Sequence, residues 1–139
     1  MYATILVTLE GTEADDTIIR HILPLAKLLG SQVMLLHVAD GWAARTFGSD
    51  AVSPEVDEDT AYIKKVCTRF EAEGVRATAH LAFGDPAPEI VKWVHAHPCD
   101  LIAMSTHGHR LVGDILHGAT AHHVQHRVDV PVLLLKMKK

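Results

Sequence analysis

The feature of this 139-residue chain that most constrains its fold is an alternation of short apolar segments with longer amphipathic ones. The short segments are rich in Val, Ile and Leu, as expected of buried strands, and the longer ones show helical periodicity. We predict strands over 3–9, 33–38, 75–82, 99–104 and 130–136. We predict helices over 13–29, 55–73 and 85–97, and a fourth helix that begins near Ala119.

Uninterrupted apolar strands separated by helices indicate a parallel sheet that is covered on both faces. The sequence therefore predicts an α/β fold: a three-layer, open, twisted, parallel five-stranded sheet with helices on both faces, Rossmann-like, in a single domain of residues 1–139. Pro24 should bend or weaken the first helix. Asp85 should cap the third helix, with Pro86 at its first position. The residues expected to point inward are Ile18, Ile19, Ile22, Leu25, Ala26 and Leu29 in the first helix, and Ala61, Val66 and Phe70 in the second.

Ligands of such sheets bind outside the carboxyl ends of the strands, where the strand order reverses. The relevant ends are the segments 9–11, 38–40 and 105–108. The segment after Met104 carries glycines and leads into a helix, so its backbone N–H groups could bind an anion such as a phosphate.

Composition excludes several functional classes. A formal net charge of −4 gives no basic footprint, so we expect no nucleic-acid partner. No apolar run could span a bilayer, so we expect no membrane association. Cys67 and Cys99 form no motif, and we expect them to be buried thiols in a cytoplasmic protein rather than a disulfide.

Several fragments, in this order and spacing, are typical of one family. They are Ile5-Leu6-Val7, Glu10-Gly11-Thr12, Leu35-Leu36-His37-Val38, Gly84-Asp85-Pro86, Asp100-Leu101-Ile102, Thr106-His107-Gly108, Gly118 and Pro131-Val132-Leu133. Over essentially its whole length the chain resembles a single-domain universal stress protein. The resemblance implies an adenine-nucleotide-hydrolase-like fold with strand order 3-2-1-4-5. It also implies a homodimer formed through the last strand, Val130 to Lys136.

Many members of that family bind ATP through the pattern Gly-x2-Gly-x9-Gly-Ser/Thr. The corresponding positions here are Ser105, Gly108, Gly118 and Ala119, so two match and two depart. Ser105 replaces a glycine that lets the nucleotide approach the backbone, and Ala119 replaces a hydroxyl that would bond a phosphate. Thr120 is one helical position further and points about 100° away.

The resemblance also makes Glu10 the counterpart of the family's aspartate after the first strand, and His109, with Arg110 beside it, the counterpart of a frequent basic residue. Gly118 and the N–H groups after it remain a possible anion nest. The expected cofactor is ATP or another adenine nucleotide, which a divalent metal could accompany. The candidate binding residues are Leu9, Glu10, Val38, Ala39, Asp40, Met104, Ser105, His107, Gly108, His109, Arg110, Gly118, Ala119 and Thr120.

Eleven histidines are the one unusual feature of the composition. His122 and His126 lie four residues apart on the last helix and are candidates for a metal pair, but no cysteine or carboxylate completes a set, so we expect no metal site. His37 ends an apolar strand and is more typical of a satisfied core residue than of a ligand. His107 is more typical of a bond to the loop backbone than of a phosphate contact.

Three functional classes remain open. The first is a nucleotide-binding stress-response or regulatory protein, and the second is the same fold without nucleotide, acting through an unknown protein partner. The third is an enzyme, which is disfavoured because no nucleophile has a paired base and no lysine lies in the phosphate loop. Slow ATP hydrolysis would be incidental. The segment from Asp40 to Pro54, with Trp42 and Phe47, is either a cover for the crevice, a partner surface or an irregular connection.

Overall fold

The structure is a computed structural model that describes residues 1–39, 54–106 and 112–137; for residues 112–119 it describes the helix but not the side chains. Strands and helices alternate along the chain. The strands are β1 (Thr4–Leu9), β2 (Gln32–Ala39), β3 (Ala77–Phe83), β4 (Leu101–Thr106) and β5 (Val132–Lys136). The helices are α1 (Ala14–Leu29), α2 (Pro54–Ala72), α3 (Pro86–Ala96) and α4 (Val112–Arg127).

The five strands form one parallel sheet in the order β3-β2-β1-β4-β5, which confirms the predicted architecture. β1 lies at the centre, where Ile5 pairs with Val33 of β2 and with Leu101 of β4. β1 and β2 lie on one side of the point where the strand order reverses, and β4 lies on the other. The crevice expected in such sheets is therefore at the carboxyl ends of β1, β2 and β4.

Each face of the sheet packs against its own pair of helices, because alternate residues of a strand point to opposite faces. One core cluster joins Ile5, Val7 and Leu9 of β1 to buried residues of α1 and α2. The other joins Leu6, with alternate residues of β2 and β4, to α3 and α4. Within the described residues, no helix is both long enough and apolar enough to cross a membrane.

The ends of two helices follow from local chemistry. α1 continues through Pro24 and ends at Gly30, whose φ of 67° is left-handed and therefore suits glycine. Asp85 occupies the N-cap position of α3 with extended backbone, and Pro86 follows at the first helical position, as predicted. The Asp85 side chain makes no cap hydrogen bond, so the fixed φ of Pro86 contributes to this helix start instead.

Two predicted core positions are wrong. Leu29 is 39% exposed in the last turn of α1, because the burial stripe of that helix ends at Ala26. Ala61 is exposed, and Ile63 is buried in its place together with Val66 and Phe70. At about 100° per residue, Ile63 lies on the same face of α2 as Val66 and Phe70, whereas Ala61 lies on the opposite face from Phe70.

Some predicted boundaries also differ. β5 begins at Val132 rather than Val130, because Pro131 has no N–H for the strand ladder and contributes only its carbonyl, which accepts from Ile102. β3 spans Ala77–Phe83 rather than 75–82. The prediction that the last helix begins near Ala119 is wrong, since α4 begins at Val112.

Two side chains fix the amino-terminal edge of the sheet. The Asp100 carboxylate accepts hydrogen bonds from the N–H groups of Ala3 at 2.9 Å and Thr4 at 3.0 Å. The buried Ser31 hydroxyl donates to the carbonyl of Tyr2 at 2.6 Å. These bonds tie the start of β1 to residues that precede β4 and β2.

We expect Phe70→Ala to lower the free energy of unfolding by about 3–5 kcal/mol, because this ring is fully buried between α2 and the sheet. Ala61→Gln on the exposed face of the same helix is the control and should change it by less than about 0.5 kcal/mol. Urea unfolding followed by circular dichroism measures both. If Phe70→Ala changed the free energy of unfolding only slightly, the neighbouring core residues would have moved to fill the volume of the missing ring, contrary to this expectation.

Candidate functional site

A cavity of about 160 Å³ opens at the carboxyl ends of β1, β2 and β4, on the side of the sheet covered by α3 and α4. It lies at the reversal of strand order, where the fold predicts a ligand crevice. Ligand pockets commonly measure roughly 300–1,000 Å³, so this cavity would enclose only part of a nucleotide. Its lining residues are Thr8, Leu9, Glu10, Leu36, His37, Val38, Pro86, Ile90, Met104, Ser105 and Thr120.

Six of the residues predicted for the site are brought together in this lining: Leu9, Glu10, Val38, Met104, Ser105 and Thr120. Ala39 is buried at the end of β2, where its carbonyl accepts from the N–H of Gly84, and it does not line the cavity. Asp40, His107, Gly108, His109 and Arg110 lie outside the described residues, as do Trp42 and Phe47. Five lining residues were missed: Thr8, Leu36, His37, Pro86 and Ile90. The alternation of β1 and β2 could have indicated Thr8 and Leu36, since both share a face with Val38.

The early start of α4 changes the setting of Gly118 and Ala119. Both lie inside the helix rather than at its beginning. Beyond its first four residues, the N–H groups of an α-helix are bonded within the helix. An anion nest at Gly118 therefore stays a prediction, and it requires those N–H groups to leave the helical pattern.

Thr120 lines the cavity although its helical position was expected to direct it away from the position of Ala119. It is partly buried, and Ala121 next to it is buried in the core shared by α3 and α4. The cavity wall therefore carries the hydroxyl of a threonine at position 120, one residue after position 119, where the family pattern has Ser or Thr.

Ser105, which occupies the position where the family pattern has glycine, lines the cavity, although strand alternation places its side chain on the opposite face of the sheet from Met104. Ile102 and Met104 belong to the core cluster under α3 and α4, whereas Leu101 and Ala103 belong to the other cluster. By alternation, the Ser105 side chain lies on the side of α1 and α2. It is 5% exposed, and among the described residues its Oγ has no hydrogen-bond partner. The hydroxyl therefore does not crowd the face on which Met104 meets the cavity.

The segment Leu9 to Gly11, which carries Glu10 into the cavity wall, is held by a buried carboxylate. Asp15, in the first turn of α1, accepts the N–H groups of Glu10 at 2.9 Å and Gly11 at 2.8 Å. The hydroxyl of Tyr62 on α2 donates to the same carboxylate at 2.6 Å. Asp15 is 1% exposed, so it is a fully buried acid at the edge of the site.

Burial raises the pKa of Asp15, and the hydrogen bonds from Glu10, Tyr62 and Gly11 oppose that rise without cancelling it. Burial also raises the pKa of Tyr62, and its bond to Asp15 adds to the effect. The phenol is therefore a donor throughout the physiological range. The sequence analysis missed both residues. The available signal was an acidic residue in the first helical turn after the predicted Glu10 segment, a position where a carboxylate meets free N–H groups.

His37 holds the same segment from the neighbouring strand. Its Nδ1–H donates to the carbonyl of Leu9 at 2.8 Å, which fixes the proton on that nitrogen because a carbonyl can only accept. Its Nε2 lies 3.4 Å from an oxygen of Asp59 on α2. His37 is 7% exposed, and the prediction of a satisfied core histidine is confirmed.

The two histidines considered for a metal pair do share one face of α4. The rings of His122 and His126 meet edge to face with centroids 4.4 Å apart, and both residues are exposed. Across residues 1–39, 54–106 and 120–137, no group of three or more His, Cys, Asp or Glu side chains is arranged to hold a metal ion. Cys67 and Cys99 are partly buried free thiols.

Comparison with known proteins agrees with this architecture. The model of the universal stress protein family matches residues 1–136. The chain is 30% identical over 146 residues to universal stress protein MJ0531 of Methanocaldococcus jannaschii, and the match covers 100% of this chain and 85% of that relative.

Solved structures show the same fold. MJ0577 of Methanocaldococcus jannaschii is similar with a TM-score of 0.83 and 26% identity, over 100% of this chain and 99% of the other. A universal stress protein from Archaeoglobus fulgidus in complex with dAMP is similar with a TM-score of 0.73 and 20% identity, over 97% and 98% of the two chains. With a family match over almost every residue and a relative at 30% identity along the whole chain, this protein belongs to the universal stress protein family.

Proposed function

We propose that this protein binds an adenine nucleotide, ATP or a close relative, in the cavity at the ends of β1, β2 and β4, and acts as a cytoplasmic stress-response or regulatory protein rather than as an enzyme. The observation that carries the proposal is the cavity itself, which gathers predicted nucleotide-site residues at the reversal of strand order. The dAMP complex of the related Archaeoglobus fulgidus protein supports the ligand class. The free state of both cysteines is consistent with a reducing compartment.

The lining divides into an apolar part and a polar part, as a purine nucleoside requires. Leu36, Val38 and Ile90 offer apolar surface on which the flat faces of a base can pack. Glu10 and Thr120 supply oxygen atoms that can bond the base edge or the ribose hydroxyls. We place the base beside Val38 with Glu10 near the base or ribose, and we place Asp40 there as part of the same proposal. Ala39, which was also expected beside the base, does not line the cavity. The phosphates would then extend beyond the cavity.

Ser105 is a smaller obstacle to this ligand than its departure from the glycine pattern implies. Its side chain lies on the α1 and α2 side of the sheet, so a base packed against Met104 would meet β4 from the opposite face. The loss of a hydroxyl at Ala119 remains, and it weakens phosphate binding by one hydrogen bond, which contributes about 1 kcal/mol. We therefore propose nucleotide binding of reduced phosphate affinity.

A second function is favoured by the position of Gly118 and Ala119 inside α4. If that helix stays intact, no phosphate loop forms there, and the protein acts through protein contacts alone. Mass spectrometry of the intact, freshly purified protein under non-denaturing conditions separates the two functions. A co-purifying mass of an adenine nucleotide supports the first function. A nucleotide-free protein that also fails to bind added ATP supports the second.

We expect Val38→Phe to weaken ATP binding at least tenfold, because the added ring would occupy the cavity where we place the base. Val94→Phe is a matched control: both valines belong to the same core cluster and are 7% and 8% exposed, but Val94 does not line the cavity. Calorimetric titration measures affinity, and urea unfolding confirms that both variants are folded. Equal affinity in folded Val38→Phe and wild type would refute the placement of the base.

We also propose a homodimer that pairs through β5. β5 is an edge strand, since β4 is its one neighbour in the described sheet, and unpaired strand edges invite pairing. Leu133 and Leu135 pack against the chain's own core, but Leu134 between them is 40% exposed. An apolar side chain on an open edge is the surface that twofold pairing would cover.

Leu134→Lys should therefore shift the protein toward monomer, with little loss of stability, because Leu134 is not part of the buried core. Leu28→Lys is the control, since Leu28 is 82% exposed on α1 and lies on a different element. Sedimentation velocity at micromolar concentration reports the species present. A monomeric wild type, or a dimer that Leu134→Lys leaves intact, would exclude an interface on β5.

A further inference from the structure

A buried carboxyl group and a partly buried tyrosine, neither of which the proposed site itself uses, meet behind the segment Leu9 to Gly11. Asp15 receives three donors, the N–H groups of Glu10 and Gly11 and the hydroxyl of Tyr62, at 2.6–2.9 Å. Tyr62 belongs to α2, so this one carboxylate joins α1, α2 and the end of β1. Gly11 permits the arrangement, because its φ of 79° is a conformation that residues with a side chain rarely adopt.

We propose that Asp15 and Tyr62 are positioning residues of the nucleotide site: they hold the main chain at Glu10 so that the Glu10 side chain meets the nucleoside in a fixed orientation. The inference rests on the proposed function and extends it to residues that do not line the cavity. Glu10 lines the cavity, whereas Asp15 and Tyr62 lie behind it. The role is therefore to set the geometry of Glu10 and not to touch the ligand.

The Glu10 side chain is restrained from the same side. The hydroxyl of Thr12 donates to a Glu10 carboxylate oxygen at 3.3 Å and accepts the N–H of Ala14 at 3.3 Å. On the other side of the segment, His37 holds the carbonyl of Leu9. Main chain and side chain at Glu10 are thus both fixed before a ligand arrives, which lowers the entropic cost of binding.

The cost of this arrangement argues for a role in binding. A carboxylate that is 1% exposed is expensive to bury, and the raised pKa of Asp15 shows that burial outweighs the three hydrogen bonds. An apolar residue in the first turn of α1 would avoid that cost, but it could not accept the two N–H groups. Ionisable groups held at such a cost next to a cavity are typical of functional sites.

The charged groups around Asp15 fix the direction of its pH dependence. Glu10 faces it from the loop and disfavours its charge, and Tyr62 faces it from α2. Tyr62 in turn lies near Asp16 of α1 and Arg69 of α2. Because the folded pKa is raised, Asp15 takes up a proton at a higher pH than an exposed aspartate. Asp15 therefore stabilises the folded protein more below that pKa than above it. The arrangement with three donors belongs to the charged carboxylate, so it is lost when Asp15 takes up a proton as the pH falls.

The test measures ATP affinity by calorimetry in wild type, Asp15→Asn and Tyr62→Phe. Asparagine keeps one oxygen acceptor, but its NH₂ group faces one of the donors that Asp15 binds, the N–H groups of Glu10 and Gly11 or the hydroxyl of Tyr62. We therefore expect the affinity for ATP to fall about tenfold in Asp15→Asn. Phenylalanine keeps the ring and loses one donor, so we expect a smaller fall. Ser31→Ala is the matched control: it removes a buried hydrogen bond at the opposite edge of the sheet and should leave affinity unchanged.

Two readouts separate positioning from a merely structural role. Exchange of the Glu10 and Gly11 amide protons should accelerate in Asp15→Asn without ligand, while exchange in the core strands stays slow. The ratio of the Asp15→Asn and wild-type dissociation constants should shrink as the pH is lowered, because wild-type Asp15 then loses its charge as well. Apart from Glu10, whose charge interacts with that of Asp15, the other titrating groups, including the nucleotide, are common to both proteins and largely cancel in that ratio.

The outcomes distinguish this inference from the proposed function. If wild type does not bind ATP, the proposed function fails and the positioning role fails with it. If wild type binds and both variants bind equally well at every pH, the inference alone is overturned. It is also overturned if affinity falls as much in Ser31→Ala as in Asp15→Asn, since the loss would then follow general stability.

Discussion

Strand β1 has a hydrogen-bonded strand on each side and a helical layer on each face, so Ile5, Leu6 and Val7 are completely buried. The middle of a strand in this position is apolar, and the polar residues that line the cavity, Thr8 and Glu10, come at its carboxyl end. The cavity lies there because the strand order reverses at β1 and the connections of its neighbours lead in opposite directions. The burial of β1 stabilises the sheet, and it also leaves the carboxyl ends of the strands as the place where polar side chains of the proposed site can lie.

The sequence predicts the layers of this fold well because both signals it relies on are local. Apolar runs mark buried strands, and the Gly30 and Pro86 positions mark helix ends through backbone preferences that need no tertiary contact. The misplacements concern register and boundaries. Ile63 shares the face of Phe70 on α2 and Ala61 lies on the opposite face, so helical spacing counted from Phe70 gives the observed core position. The start of α4 was misjudged because the glycine pattern was taken to mark a loop as far as Gly118, whereas the helix already begins at Val112.

For the site, the sequence predicts the residues near strand ends that line the cavity. It does not predict Asp15 and Tyr62, which hold the main chain behind the lining. Val38 and Met104 follow from the topology alone, since each lies near the carboxyl end of a strand that pairs with β1. Asp15 and Tyr62 are 47 residues apart in sequence and meet only in the folded protein, so no local pattern connects them. The side-chain direction of Ser105 likewise depends on which core cluster its strand neighbours join. Such facts depend on packing and are visible only once the sheet is assembled.

The bonds from Asp100 to Ala3 and Thr4 lie at the end of the sheet remote from the cavity. A shift of one residue between two parallel strands would turn every side chain of β1 to the opposite layer. By holding Ala3 and Thr4, at the start of that strand, against the start of β4, Asp100 favours the register in which Leu9 faces one helical pair and Thr8 the other. The alignment of the cavity lining thus depends in part on a carboxylate located a full strand length away.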